Sequence, residues 1–284
     1  MLSIIGISPH PPIIIPEIGR ERLSEAQQTV DGMKLLSKRI KEADPELLVV
    51  ITPHGQIVPE GPAVLTQEQL TGDFGQFGFS DIGITVQTDR ELIDLLVEEA
   101  SSGPIRPALV GDTDHIFRKG KVLDHGAMVP LYYLQKAGVV IPCVHITISF
   151  QPYRQLYQFG GALRKAVNRR GVPTAVITSG DLSHRLTRGS PAGFNPHGIE
   201  FDHRLVRLLR EGRVEAILEF DQQLVEEAGE CGLRSFVIGL GMLDGENFKP
   251  EIISYEGPFG VGYLVAVLHP EQNINSSTGE REVS

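Results

Sequence analysis

Apolar residues along this chain fall into two kinds of run. Short, unbroken, β-branched stretches bounded by Gly, Pro or Asp occupy Leu2 to Ile7, Leu47 to Thr52, Val139 to Ser149, Pro173 to Thr178, Glu251 to Tyr255 and Val261 to Val267. Continuous apolar runs of this length predict strands buried on both faces. Between them, apolar residues recur at helical spacing over Ser24 to Ala43, Gln87 to Ser101, Met128 to Ala137, Tyr153 to Arg169, Gly198 to Glu211 and Gly232 to Leu243. Strands alternating with helices predict an α/β fold, a single domain whose central sheet is mostly parallel or mixed and is flanked by helices. The last two strands are separated only by the stretch around GPFGVG, so they are expected to pair antiparallel at an edge. The domain runs from Met1 to about His269. The tail from Pro270 to Ser284 is polar and rich in Ser, Asn and Glu, a composition that cannot bury enough apolar surface to order itself.

Composition narrows the function more than the fold. With 284 residues and 41% hydrophobic content the chain can build a sizeable core. Its net charge is −10 and its 26 Lys and Arg are scattered, so no basic footprint for nucleic acid exists and a small or neutral ligand fits better. Two cysteines, Cys143 and Cys231, with no CxxC spacing, argue against a disulfide framework and a thiolate-rich metal site, and fit a reducing cytoplasm. No basic region precedes the short apolar N-terminus, and no apolar stretch approaches 18 residues, so neither a signal peptide nor a membrane span is expected.

The histidines carry the chemistry. Of nine, three fall just past predicted strands: LSIIGISPH ends at His10, ELLVVITPH at His54 and PTAVITSGDLSH at His184. In an open α/β sheet, ligands bind outside the carboxyl ends of the strands, where side chains distant in sequence converge. Imidazole suits iron, zinc, copper and nickel, and the prolines beside His10 and His54 restrict the backbone that presents each ring. His125, in VLDHGAMVP, precedes a helix that Asp124 is placed to cap. His115, in GDTDHIFRKG, can approach from a polar loop; His145 and His269 lie in strands and read as structural. His197, in GFNPHG, is a candidate pocket residue, as is the aromatic and glycine-rich GDFGQFGFS from Gly72 to Ser80. Glu230 and Cys231 stand together at a helix start, and Asp181 is close enough to His184 in sequence to orient its ring.

Five segments in order, PHPP at Pro9 to Pro12, TPHG at Thr52 to Gly55, LDHGAMVPL at Leu123 to Leu131, SGDLSHR at Ser179 to Arg185 and GFNPHGIEFD at Gly193 to Asp202, resemble the class III extradiol ring-cleavage dioxygenases, the LigB-like superfamily. The resemblance implies a non-haem Fe(II) held by two histidines and a glutamate, with positions left open for substrate and O2. On that pattern His10, His54 and Glu230 are the metal ligands, His184 is the acid/base residue and His125 a further active-site histidine. The implied substrates are a small aromatic diol and O2, and related proteins commonly form homo-oligomers. The same superfamily includes the Memo proteins, which place a cysteine near the position of the ligand glutamate and are linked to copper and peptide binding; Cys231 is the matching residue here. Within that superfamily the resemblance extends to uncharacterised bacterial and archaeal members associated with an AMMECR-type domain and a radical SAM protein. A metal-binding protein without ring cleavage, using His10, His54, His184 and Cys231, is therefore the alternative expectation. Zinc-dependent hydrolysis is a third.

Overall fold

The computed structural model describes residues 1–111, 123–244 and 247–271; His115 and the tail beyond residue 271 lie outside them. Ten strands form: β1 (Leu2–Ser8), β2 (Leu47–Thr52), β3 (Ala63–Leu65), β4 (Gln69–Phe74), β5 (Phe79–Gln87), β6 (Ala108–Val110), β7 (Cys143–Thr147), β8 (Thr174–Ser179), β9 (Phe248–Glu256) and β10 (Tyr263–Pro270). Eight of them make one sheet in the order β6-β3-β7-β2-β8-β1-β10-β9, and β4 and β5 pair separately as a hairpin. The central four, β7-β2-β8-β1, are parallel. As expected, β9 and β10 pair antiparallel and close one edge.

The α-helices are α1 (Pro16–Gly19), α2 (Gln27–Glu42), α3 (Arg90–Ala100), α4 (His125–Lys136), α5 (Tyr153–Arg170), α6 (Pro196–Arg210), α7 (Val214–Leu218), α8 (Gln222–Ala228) and α9 (Leu233–Gly241). They cover both sheet faces, and β2 shows why its sequence carries no polar alternation. Leu47, Val49 and Ile51 point into the core beneath α3, α5 and α9, while Leu48 and Val50 point into the core beneath α2 and α4. Each such side chain contributes roughly 1.5–3 kcal/mol by leaving water, so all six positions of β2 select apolar or β-branched residues. Close helix packing continues outward: α5 meets α9 at Gly160, where an added Cβ would stand 2.1 Å from the Ile238 carbonyl oxygen.

The topology puts the site where the strand pattern expected it. β1, β8 and β2 are neighbours running in one direction, so the segments that leave their carboxyl ends, beginning at Pro9, Gly180 and Pro53, emerge side by side. Helix α4 starts at His125 rather than at Met128, because Asp124 is a working N-cap: its carboxylate accepts from the Ala127 N–H. GDFGQFGFS forms the tip of the β4–β5 hairpin.

Candidate metal centre

In PHPP, residues Pro9, Pro11 and Pro12 have no N–H, so His10 supplies the segment's single backbone donor. That N–H is committed to Asp181 Oδ1 at 3.0 Å, tying the β1 loop to the β8 loop. The His10 ring is buried, and its Nδ1 lies 2.9 Å from Ser179 Oγ. Ser179 donates its own hydroxyl hydrogen to the Gly126 carbonyl at 2.5 Å, so it accepts from His10. Nδ1 therefore holds the proton, and Nε2 presents a lone pair.

That lone pair faces His54 Nε2 at 2.9 Å, with the two rings edge to face and 4.6 Å between centroids. The third ring is His125, at the first position of α4, stacked 4.4 Å from His54 and 5.4 Å from His10. One ring nitrogen from each of the three lies within 4.8 Å of the others. Burial, and then the proximity of His54, holds His10 well below the usual histidine range. Burial and then His125 lower His54, and burial with His10 pushes His125 down to about 4. Three neutral imidazoles at ordinary pH are the form in which a metal is bound. The donors present thus fit a divalent transition metal of the iron, copper or zinc kind.

Asp124 braces this cluster from below. Its Oδ1 accepts from Thr52 Oγ at 2.7 Å and from the Ala127 N–H at 3.2 Å, and its Oδ2 accepts from His145 Nε2 at 2.9 Å. Burial opposes its charge, but the His145 and Thr52 bonds win and hold the carboxyl well below its usual range. His145, expected to be structural, is a buried strand residue whose polar bond reaches the N-cap of the helix that carries His125.

The loop after β8 brings the acid/base candidate. His184 Nδ1 donates to the Gly229 carbonyl at 2.8 Å, which can only accept, so in the neutral ring Nε2 is the nitrogen that bears the lone pair. Asp181, expected to orient His184, instead anchors His10 by accepting its backbone N–H at Oδ1, and its Oδ2 stands 3.8 Å from His10 Nε2. Chiefly through burial its carboxyl is raised above the usual value.

Glu230 and Cys231 part company. Cys231 Sγ lies 3.6 Å from His10 Nε2 and accepts from the Asp181 N–H at 3.3 Å. The Glu230 carboxylate instead accepts from the Leu233 N–H at 2.6 Å, capping the start of α9. It borders a cavity of about 420 Å³ lined also by Phe150, Tyr153, Glu226 and Arg234, where burial pushes it up to about 7. The structure thus brings His10, His54 and His125 together, adds Cys231, and does not bring Glu230 to the imidazoles. Of the two suggested pocket segments, GDFGQFGFS contributes Phe77, packed edge-on against His125 at 5.4 Å. In GFNPHG, His197 pairs with Glu227 instead.

The family described as the catalytic LigB subunit of aromatic ring-opening dioxygenase matches residues 5–266. The chain belongs to the LigB family. Among relatives of this LigB chain, Protein CA_C1420 of Clostridium acetobutylicum is 37% identical over 276 residues, 96% of the chain and 59% of that protein; the chain thus spans little more than half of that relative's length. The 3,4-dihydroxyphenylacetate 2,3-dioxygenase of Escherichia coli is 27% identical over 86% of the chain and 90% of its own length. The 2-aminophenol 1,6-dioxygenase beta subunit of a Pseudomonas species is 24% identical over 91% of both. The fold is shared with the crystal structure of uncharacterized protein JW3007 from Escherichia coli K12, at a TM-score of 0.62 and 18% identity over 94% of this chain and 99% of the other. Among the described residues, no helix is long and apolar enough to cross a membrane.

Proposed function

We propose that this LigB-family chain is an Fe(II)-dependent oxidoreductase that opens a catechol-type ring with O2, the metal held by His10, His54 and His125. The observation that carries the reading is the convergence of these three neutral ring nitrogens within 4.8 Å at the carboxyl edge of the sheet. The chemistry a bound Fe(II) supplies is a shared docking point for diol oxygens and O2, through which electrons pass between them. The protein's own part is proton handling and shape. His184, with its Nδ1 proton committed to Gly229, offers Nε2 to take a phenolic proton and return it later. Phe77, about two-fifths exposed beside His125, supplies a flat apolar wall for an aromatic ring. The 27% identity to an enzyme named for 3,4-dihydroxyphenylacetate supports a diol as the substrate class. Anaerobic loading with Fe(II), followed by O2 uptake with a panel of catechols and 2-aminophenols, tests the proposal. Stoichiometric iron with no uptake on any of them would refute it.

One observation favours a second reading, a Memo-like metal-binding protein without ring cleavage. Cys231, not Glu230, faces His10, and a thiolate donor suits copper better than Fe(II) bound for O2 chemistry. Metal content of protein purified without added metal separates the two, together with Cys231→Ala and Glu230→Gln. Loss of metal in the cysteine variant alone supports a thiolate site; loss in the glutamate variant alone supports the two-histidine, one-carboxylate arrangement.

A further inference from the structure

LDHGAMVPL has so far given the site only His125 and the cap Asp124, yet its proline is placed where a helix least accepts one. Pro130 is the sixth residue of α4, a helix that runs to Lys136. It has no N–H, so the carbonyl four residues earlier, that of Gly126, lacks its regular i→i−4 donor, and the proline ring pushes that carbonyl off the helix axis. The freed carbonyl is the one that accepts the Ser179 hydroxyl at 2.5 Å, and Ser179 Oγ in turn faces His10 Nδ1 at 2.9 Å. Gly126 itself must lie close, since an added Cβ would stand 2.3 Å from Thr52 Oγ and 3.5 Å from His54 Cδ2.

We propose that Pro130 and Ser179 are positioning residues of the metal centre: by withholding one N–H, Pro130 leaves the Gly126 carbonyl to fix the Ser179 hydroxyl, and Ser179 fixes the tautomer of His10. Helix α4 thereby does two things for one site. Its first residue, His125, enters the cluster, and its second aims the His10 Nε2 lone pair at the same point. With an ordinary residue at 130, a backbone N–H competes for the Gly126 carbonyl. The Ser179 hydrogen is then free to turn toward His10 Nδ1, and the ring proton moves to Nε2, closing the nitrogen that faces His54. A histidine ligand's far nitrogen generally sets which tautomer binds. The relay rests on the reading of His10, His54 and His125 as metal ligands.

The test uses the full chain and Co(II) as the probe. In the metal-free protein, 15N NMR of the imidazoles is expected to show His10 protonated at Nδ1; a proton on Nε2 overturns the relay without any variant. Ser179→Ala is expected to weaken Co(II) binding ~10–100-fold, and Ser179→Thr, which keeps the hydroxyl, to restore most of it. Pro130→Ala is expected to weaken Co(II) binding by about 3–10-fold while the melting temperature holds or rises, because alanine suits a helix interior far better than proline. Wild-type affinity in Ser179→Ala, or in Pro130→Ala, refutes the proposal. If the wild-type chain binds no Co(II), the metal reading itself fails, and the NMR result alone then decides the tautomer relay.

Discussion

Gly180→Ala is the sharpest single perturbation of the site, because its effect follows from backbone geometry. Gly180 lies between Ser179 and Asp181, and a Cβ built on it would stand 2.0 Å from Gly232 Cα and 3.1 Å from the Gly232 N and C atoms. Carbon atoms rest at about 3.5–4.0 Å, so the two segments must part by ~1.5–2 Å, and backbone on both sides leaves no side chain to swing away. The displaced segments carry Ser179 and Asp181, which hold His10, and Cys231, which faces it. They are also stitched together, the Cys231 and Gly232 N–H groups both donating to the Asp181 carbonyl at 3.2 and 3.0 Å. Overpacking of this kind costs about 1–3 kcal/mol, or a melting temperature lower by roughly 2–10 °C in a domain of this size. A misplacement near 1 Å is worth ~10²-fold in a reaction that depends on alignment. Thermal melts and Co(II) titration measure both effects. A variant that melts with the wild type and binds Co(II) with unchanged affinity would show that the two loops are not in backbone contact.

Three further outcomes follow from features away from that contact. In α5, adjacent glycines should respond with opposite signs: Gly160→Ala clashes with the Ile238 carbonyl at 2.1 Å, whereas Gly161→Ala meets nothing closer than 3.8 Å. Chemical denaturation should show the second stabilised by about 0.5–1 kcal/mol and the first destabilised by more than that. Asp124→Ala removes a helix cap and strands the Thr52 hydroxyl and the His145 N–H, so it should cost about 3–5 kcal/mol, read in the same assay, with Asp124→Asn losing less. Buried Asp202 accepts from the Ser183 N–H and Tyr255 hydroxyl, and burial raises its carboxyl to about 7. The folded chain therefore holds this proton more tightly than the unfolded chain. The resulting stabilisation is complete below about pH 4 and fades as pH rises to about 7, by roughly 4 kcal/mol in all. Asp202→Asn should gain stability relative to wild type across that window; a pH-independent difference would contradict the assignment.

The parts of the fold legible in the sequence were those with one dominant physical cause. β2 is apolar at every position because both faces are buried, and its predicted limits, Leu47 to Thr52, match the strand. β3 and β6 have three residues each, too few to show a period. The β4–β5 hairpin hid because its tip is glycine-rich, so GDFGQFGFS showed no strand period, although as a candidate pocket segment it does deliver Phe77 to His125. In the site, strand-end histidines were visible because proline and strand patterns frame them. The parting of Glu230 and Cys231 was not, since adjacent residues at a helix entrance point apart according to local backbone angles that no spacing rule encodes. Likewise Ser179 stood in SGDLSHR with no role of its own to read. Its role depends on a carbonyl more than fifty positions away, freed by a proline.

Strand order also dictates when the site can exist. β1 and β2 are not neighbours: β8 lies between them, pairing with both. His10 and His54 are made early in synthesis, yet the strand that sets the spacing between their loops ends at Ser179. A nascent chain shorter than that holds two histidines with no seat between them. If the three imidazoles hold a metal as proposed, acquisition has to wait until β8 has slotted in between β1 and β2, and metal uptake would then report completed topology.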